Sequence, residues 1–260
     1  MSKYLIFLRS LRLLYTAVLH DTWIGLRSNL HHYLLHLILV VLSSATFWAI
    51  RPFPGFAGAL LSGFIFACFL SVYLSSVSAA VRQERVSLME TTRLAVDMFP
   101  AVFRVLFVLF MCTIVVHSLT REVIVLLFVS LCIAIYWNAA LEASYQEDDF
   151  SWQDFGLLWP FIRANAVEWF LPLFVVSFVL ACIEGSKYAE KVFILLFATH
   201  PVQFIQILSS LGGSPTVLLA HWWQSVLFLL ILYPAFIFRG VLYKFLNRSN
   251  RRKRIFEAQF

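Results

Sequence analysis

Residues 52–81 read PFPGFAGALLSGFIFACFLSVYLSSVSAAV, and no charged side chain lies between Arg51 and Arg82. A run of this length exceeds the roughly 20 apolar residues that cross about 30 Å of hydrocarbon. Small residues recur in it at every fourth position: Gly55, Ala59, Gly63, Ala67, Ser71, Ser75 and Ala79. On a helix this spacing forms a groove in which a neighbouring backbone approaches closely. The stretch therefore predicts a tightly packed membrane span, whose packing residues are Gly55, Ala59, Gly63, Ala67 and Ser71.

The composition of the chain also indicates a membrane protein. Of its 260 residues, 61% are hydrophobic and 13% are charged, whereas soluble domains carry about 25% charged residues. The formal net charge is +6. Because the basic residues flank apolar stretches, anionic lipid headgroups account for this charge without nucleic acid. The predicted partners are membrane lipids and other protein subunits, in a homo- or hetero-oligomer.

The apolar stretches predict an all-α, polytopic membrane protein whose membrane domain, residues 30–238, contains six transmembrane helices. The predicted spans cover residues 30–50, 55–80, 99–117, 122–141, 167–183 and 216–238. Residues 1–29 are predicted to form an amphipathic interfacial helix, because apolar side chains from Tyr4 to Val18 recur at three- and four-residue steps. Thr199-His200-Pro201 interrupts the apolar residues 192–211, which we therefore predict to be broken or re-entrant.

Basic residues determine the predicted orientation of the spans. Lys and Arg cluster before the first span, between the second and third, and in residues 239–260, the predicted basic tail. An even number of spans places all three clusters on one side. We therefore predict a multi-pass protein of the cell (inner) membrane with both termini in the cytoplasm.

One short motif occurs twice, before the first and the fifth predicted spans. It consists of a Trp, an Arg four residues later, an Asn two residues after that and an aromatic residue four further on. The copies are Trp23, Arg27, Asn29 and Tyr33, and Trp159, Arg163, Asn165 and Trp169. The motif suggests repeated units of an interfacial helix followed by a membrane hairpin. Recurrent anchoring of Trp and Arg at headgroups is the alternative.

Two polar segments on the predicted cytoplasmic side are candidates for docking a partner. The first contains Arg82, Glu84, Arg85 and Glu90, and the second contains Glu147, Asp148 and Asp149 between Glu142 and Asp154. The acidic segment has three interpretations: a surface for a basic partner, a vestibule that attracts cations, or a solvated loop held away from anionic lipid.

On the outer side, His200, His221, Trp222 and Trp223 are the candidate substrate residues, with an aromatic belt as the alternative. His31, His32 and His36 lie at the entrance to the first span. Two histidines four residues apart can share a metal. No acidic or cysteine ligand lies near them in the sequence, so we interpret them as interfacial histidines and predict neither a metal nor a cofactor.

This layout resembles the transmembrane subunits of ABC-2-type exporters. The resemblance matches residues 2–27 to an interfacial helix, residues 82–97 to a coupling segment and residues 192–211 to a re-entrant pair. Arg82-Gln83-Glu84-Arg85 is similar to the start of the coupling segment, and His200-Pro201-Val202 stands near the family's Asn-Pro. The glycine-threonine pair of the family is missing here. The resemblance implies a partner ATPase and substrate movement between subunits.

A second resemblance rests on the Trp–Arg–Asn motif, which is similar to that of repeat-containing bacterial inner-membrane proteins, including the membrane domains of glycerophosphodiester phosphodiesterases. It implies a scaffold or assembly subunit with no transport cycle. The sequence contains no Walker-type phosphate loop, GxSxG or HExxH motif. We therefore expect a non-catalytic subunit of a transport complex, with the scaffold as the alternative.

Overall fold

The computed structural model describes residues 3–35, 38, 39, 42, 46, 55–119, 123–146, 150–184 and 222–248. All regular secondary structure in these residues is helical, which confirms the predicted all-α class for this part of the chain. The helices are α1 (Lys3–Ser28), α2 (Gly55–Arg82), α3 (Leu88–Leu119), α4 (Val123–Gln146), α5 (Asp154–Glu184) and α6 (Trp222–Arg248). After a turn at Asn29, residues 30–35 are helical again.

Two of the described stretches are long and apolar enough to cross a membrane. Leu60–Arg82 in α2 has a mean hydropathy of 2.0, and Leu88–Cys112 in α3 has 2.1. Their surroundings differ. Within the chain, 72% of the most apolar part of the first stretch is buried, compared with 24% of that of the second. Helix α2 is therefore central to the fold, whereas α3 displays much of its apolar surface outward.

The core forms where α2 contacts α1, α3, α4 and α6. Leu74, Val77 and Ala80 of α2 are fully buried there, together with Tyr233 and Ile237 of α6. Four members of the four-residue repeat, Ala67, Ser71, Ser75 and Ala79, are buried as well, and small side chains of this kind let neighbouring helices approach α2.

Helix α1 packs against α6 and α2 along one face. The Tyr15 ring stacks on Phe238, with 6.5 Å between centroids. The Tyr15 hydroxyl donates a hydrogen bond to the backbone oxygen of Glu168 at 2.8 Å, which joins α1 to α5. Burial is the main reason that the pKa of Tyr15 is raised above its ordinary value. The side away from this face leaves Leu5 and Leu13 exposed, so α1 has apolar side chains on both faces.

Several helices extend beyond the predicted spans. Helix α3 begins at Leu88 and α5 at Asp154, so each includes a polar segment that precedes the corresponding span. Helix α6 continues to Arg248, so residues 239–248 of the predicted tail are helical. These residues are helical because Val241, Leu242 and Leu246 bury their side chains in the core.

The two copies of the Trp–Arg–Asn motif share a local geometry. Asn165 interrupts α5 with φ −123° and ψ 16°, as Asn29 forms the turn after α1. Each asparagine donates its Nδ2 to the carbonyl four residues earlier, at 3.2 Å to Gly25 and 3.0 Å to Phe161. In both copies, therefore, the asparagine interrupts the helix and its side-chain amide bonds to the carbonyl four residues earlier.

Serine and acidic side chains start α3 and α5. The backbone nitrogen of Ser87 donates to Glu90 Oε2 at 2.8 Å, and that of Glu90 donates to Ser87 Oγ at 3.3 Å. This reciprocal pair is a capping box. At α5 the backbone nitrogen and hydroxyl of Ser151 both donate to Asp154 Oδ2. The bonds from Ser151 lower the pKa of Asp154 below its ordinary value.

The lowered pKa of Asp154 predicts a small dependence of stability on pH. Its carboxylate stabilises the folded chain above the unfolded pKa, and this contribution is lost as the pH falls through the lower folded-state pKa. We expect the thermal midpoint of the wild type to fall further between about pH 6 and pH 2 than that of Asp154→Asn, measured in detergent. The effect is small because the site is solvated. An equal fall in both proteins would contradict this assignment.

Candidate functional site

Helix α2 ends in a sharp, defined reversal of the chain. Gln83 adopts a left-handed conformation with φ 61°. Its backbone nitrogen donates to the Ala80 carbonyl at 3.1 Å, and that of Glu84 donates to the Ala79 carbonyl at 3.0 Å. This pair of bonds is the Schellman motif, which usually places glycine at the left-handed position. The five residues 83–87, here called the α2–α3 link, therefore leave α2 in a fixed direction.

The α2–α3 link is bonded to the end of α1 and the helical residues that follow it. Asn29 Nδ2 donates to the Glu84 carbonyl at 3.0 Å. His31 Nε2 lies 3.0 Å from the Val86 carbonyl. The carbonyls of Glu84 and Val86 are thus both held by side chains from a segment more than fifty residues earlier in the chain.

The first turns of α3 are fixed by a second set of bonds. His32 Nε2 lies 3.1 Å from the hydroxyl oxygen of Thr91, and both residues are buried. The hydroxyl of Ser75 on α2 donates to the Thr91 carbonyl at 3.0 Å. His31 and His32 therefore both have protein partners, and His36 lies outside the described residues.

The outward surface of this region combines exposed apolar and charged side chains. Met89 is 85% exposed and Val96 is 72% exposed, seven residues apart on one face of α3. Exposed charged side chains stand on α3 beside them and at the preceding end of α2 and its link: Glu90, Arg93, Arg82, Glu84 and Arg85. We call these seven residues the link face. It contains all four docking residues predicted from the first polar segment, and an apolar centre with a polar rim is the usual anatomy of a protein interface.

The acidic segment divides into residues with different environments. Glu142 lies inside α4 and is fully buried, so it does not belong to a solvated loop. Asp154 caps α5 through Ser151. Glu147, Asp148 and Asp149 lie outside the described residues, and their docking role stays a prediction.

Glu142 and Arg239 form a buried ion pair between α4 and α6. Arg239 Nη2 lies 3.2 Å from Glu142 Oε1, and the two residues are 6% and 0% exposed. The same nitrogen donates to the Asn138 carbonyl at 2.6 Å and to Asn138 Oδ1 at 2.9 Å. The Tyr145 hydroxyl donates to Glu142 Oε2. Both charges are therefore compensated by partners within the core.

An aromatic side chain extends this polar cluster to α5. The Arg239 guanidinium carbon lies 5.5 Å from the ring centroid of Trp169, a cation–π distance. Trp169 is 2% exposed. The Glu142–Arg239 cluster, comprising these two residues with Asn138, Tyr145 and Trp169, thus joins α4, α5 and α6.

Two glycines lie at close contacts between helices. A Cβ atom on Gly25 would overlap the Ala80 carbonyl oxygen, whereas one on Gly240 would meet side-chain atoms, the Tyr145 hydroxyl oxygen and a Val81 methyl carbon. Glycine is required at position 25 because the facing backbone cannot move aside as a side chain can. Neither residue belongs to a four-residue repeat, which is why the sequence pattern did not identify them.

The predicted packing residues differ in their surroundings. Ala67 and Ser71 are buried, as expected for a packing groove. Gly63 is exposed, and a Cβ atom there would meet nothing within 4 Å. Among the described residues Gly63 therefore makes no close helix contact, and the groove is covered only from Ala67 onward. The packing of Gly55 and Ala59 lies outside what the structure describes.

The predicted outer-face residues lie mostly outside the described part of the chain. This applies to His200 and His221 and to the predicted re-entrant segment 192–211. Trp222 and Trp223 are the first two residues of α6. Their role near a substrate stays a prediction.

The chain matches no protein-family model, no curated protein and no solved structure. The link face and the Glu142–Arg239 cluster are therefore interpreted from their own geometry.

Proposed function

We propose that the chain is a non-catalytic, permease-like subunit of a transport complex in the cell (inner) membrane, driven by a cytoplasmic partner ATPase. The observation that carries this proposal is the link face, a rigidly held surface with exposed Met89 and Val96 among charged side chains. Methionine suits such a contact because its flexible, polarisable side chain adapts to a partner surface.

Our proposal includes six membrane spans with both termini in the cytoplasm. Support comes from the apolar side chains that the middle parts of the helices leave uncovered. These exposed residues include Leu61, Phe64, Phe103, Phe107, Ile114, Val115, Phe174 and Val175. A soluble chain rarely exposes so large an apolar surface, whereas hydrocarbon covers it without cost. In this topology the link face and the Glu142–Arg239 cluster lie at the cytoplasmic border.

The bonds of the link face suggest how a partner moves the membrane helices. Glu84 and Val86 are bonded to residues 29 and 31, and Thr91 is bonded to His32 and Ser75. A force on Met89 is therefore transmitted to α2, to α3 and to the helical residues 30–35 together. A partner that binds the link face differently in its two nucleotide states then shifts these segments as a unit.

A scaffold subunit with no transport cycle is the second candidate. The Glu142–Arg239 cluster favours it, because a buried ion pair joining three helices resists their relative movement. Breaking such a pair costs several kcal/mol, roughly 3–5. In the permease, α4, α5 and α6 therefore move as one body, and in the scaffold they do not move.

The substitution Met89→Glu tests the docking role of the link face. We expect it to abolish stoichiometric co-purification of an ATP-binding protein, because it buries an unpaired charge at the centre of the interface. Affinity purification from gently solubilised membranes, with quantitative mass spectrometry, measures the ratio. The matched control is Leu157→Glu, at an exposed leucine near the start of α5.

The same purification separates the two candidates. A nucleotide-binding partner that is lost in Met89→Glu and retained in Leu157→Glu supports the permease. Membrane proteins that co-purify equally with all three chains, without any ATPase, contradict it and favour the scaffold.

A further inference from the structure

A cavity of about 430 Å³ opens at the ends of α2, α4 and α6, on the side of the α2–α3 link. Its volume lies within the range of about 300–1,000 Å³ that is typical of ligand pockets. The lining is more polar than apolar, and it shares Arg82 and Glu84 with the link face but not Met89 or Val96. Its charges come from Arg82 and Glu84 after α2 and from Lys244 and Arg248 on α6.

The charges of this cavity favour an anion. Among the described residues that line it, three cations and one carboxylate leave an excess of two positive charges, and the Asp21 carboxylate also acts on Lys244 from outside the lining. Lys244 and Arg248 lie four residues apart and therefore share one face of α6. Arg82 approaches from the other wall, so cations of two helices face a common space.

The hydrogen-bonding capacity of the lining also fits an anion. Lys244 Nζ donates to the Val81 carbonyl at 3.3 Å, and an ammonium group has three protons, so two remain for a ligand. Gln146 is held in the wall by donating its Nε2 to the Gly240 carbonyl at 2.8 Å. The side chains of Asn247 and Arg248 at the end of α6 supply further N–H donors.

The surroundings of Lys244 disfavour its positive charge. Burial first, and then the neighbouring Arg248 guanidinium, lower the pKa of Lys244 below its ordinary value. A bound anion offsets this repulsion and raises the pKa of Lys244 back toward its ordinary value.

We propose that this cavity binds a phosphate-bearing anion, held by Arg82, Lys244 and Arg248. Phosphate oxygens accept several hydrogen bonds at once, which suits guanidinium and ammonium donors that converge from two helices. The anion is either the headgroup of an anionic lipid or a soluble phosphate compound, because both present the same oxygens. In the proposed topology the cavity lies at the cytoplasmic membrane surface, where both are within reach.

The experiment measures thermal stabilisation of the full-length chain in neutral detergent. In one arm phosphatidylglycerol is titrated, with phosphatidylcholine as the zwitterionic comparison. In the other arm inorganic phosphate is titrated against chloride at equal ionic strength. A ligand that binds the folded chain raises the thermal midpoint in a saturable manner.

The test variant is Lys244→Gln combined with Arg248→Gln, because glutamine keeps an N–H donor for the Val81 carbonyl. The matched control is Arg9→Gln combined with Arg12→Gln, which removes the same charge from exposed positions that do not line the cavity. We expect the ligand concentration at half-saturation to rise about tenfold or more in the test variant and to change little in the control. Arg248→Gln alone, at an exposed helix end, is expected to give a smaller rise in the same direction, and it serves if the double variant does not fold.

Saturable stabilisation by phosphatidylglycerol alone identifies a lipid headgroup, and stabilisation by inorganic phosphate as well identifies a phosphate site open to solutes. Equal weakening in the test and control variants would overturn the proposal, since it would show general attraction to a basic surface. Stabilisation of the wild type by neither ligand would overturn it as well.

Discussion

Glu142→Ala is expected to lower the free energy of unfolding by about 3–5 kcal/mol, because it leaves the Arg239 guanidinium charged and unpaired in the core. Arg239 is 6% exposed, so water replaces little of the lost carboxylate. The bonds to Asn138 come from one guanidinium nitrogen and do not compensate the charge. Reversible unfolding of the purified chain in mixed micelles, followed by circular dichroism, measures the loss.

A double-mutant cycle distinguishes the ion pair from general damage to the core. Glu142→Leu with Arg239→Met replaces both charges by apolar groups of similar length, a change that is often near neutral for buried pairs. We expect the double variant to be more stable than Glu142→Leu alone. If its loss equals the sum of the two single losses, the pair is not coupled and the assignment fails.

Gly25→Val is expected to be the second large effect, with a loss of roughly 1–3 kcal/mol or more. A Cβ atom at this position overlaps the Ala80 carbonyl oxygen, and a backbone atom cannot rotate away as a flexible side chain can. Helices α1 and α2 must therefore separate. Thermal unfolding in detergent measures the effect, which we expect to coincide with weaker bonding of the α2–α3 link to Asn29.

The matched control for Gly25→Val is the same substitution at Gly63. Both glycines lie within helices, but a side chain on Gly63 meets nothing within 4 Å. We expect Gly63→Val to leave stability unchanged or to raise it by a few tenths of a kcal/mol, since glycine is the weaker helix former by roughly 0.5 kcal/mol. Equal destabilisation at the two positions would contradict the claim that the Gly25–Ala80 contact is what excludes a side chain at position 25.

The contrast between these glycines shows what a sequence pattern can and cannot predict. The four-residue repeat identified the face of α2 that carries Ala67 and Ser71, and these residues are buried. It did not identify where partner helices cross that face. Crossing points depend on α1 and α6, which lie far from α2 in the sequence, so Gly25 and Gly240 carry no local signal.

Helix ends were harder to predict than helix cores, for a related reason. Hydropathy predicted the apolar parts of α3 and α5 but not their polar beginnings at Leu88 and Asp154. What marks these helix starts in the sequence is the presence of capping residues. Ser87 and Glu90 form a capping box that the sequence displays, and a search for this pattern finds the start of α3.

The Glu142–Arg239 cluster was missed because each partner has an ordinary explanation on its own. Glu142 stands beside an acidic segment, and Arg239 begins a run of basic residues. Their pairing depends on how α4 packs on α6, which no spacing within either helix reveals. Each charge lies immediately after an apolar stretch, and at such a position the sequence is equally compatible with a buried and an exposed side chain.

The most direct test of the proposed function is photo-crosslinking from position 89 in living cells. A benzophenone amino acid replaces Met89 at the centre of the link face, and replaces Leu157 in a control chain. We predict that position 89 crosslinks an ATP-binding cytoplasmic protein and that position 157 does not. No crosslink from position 89, or crosslinks only to other membrane proteins, would contradict an ATPase-driven subunit.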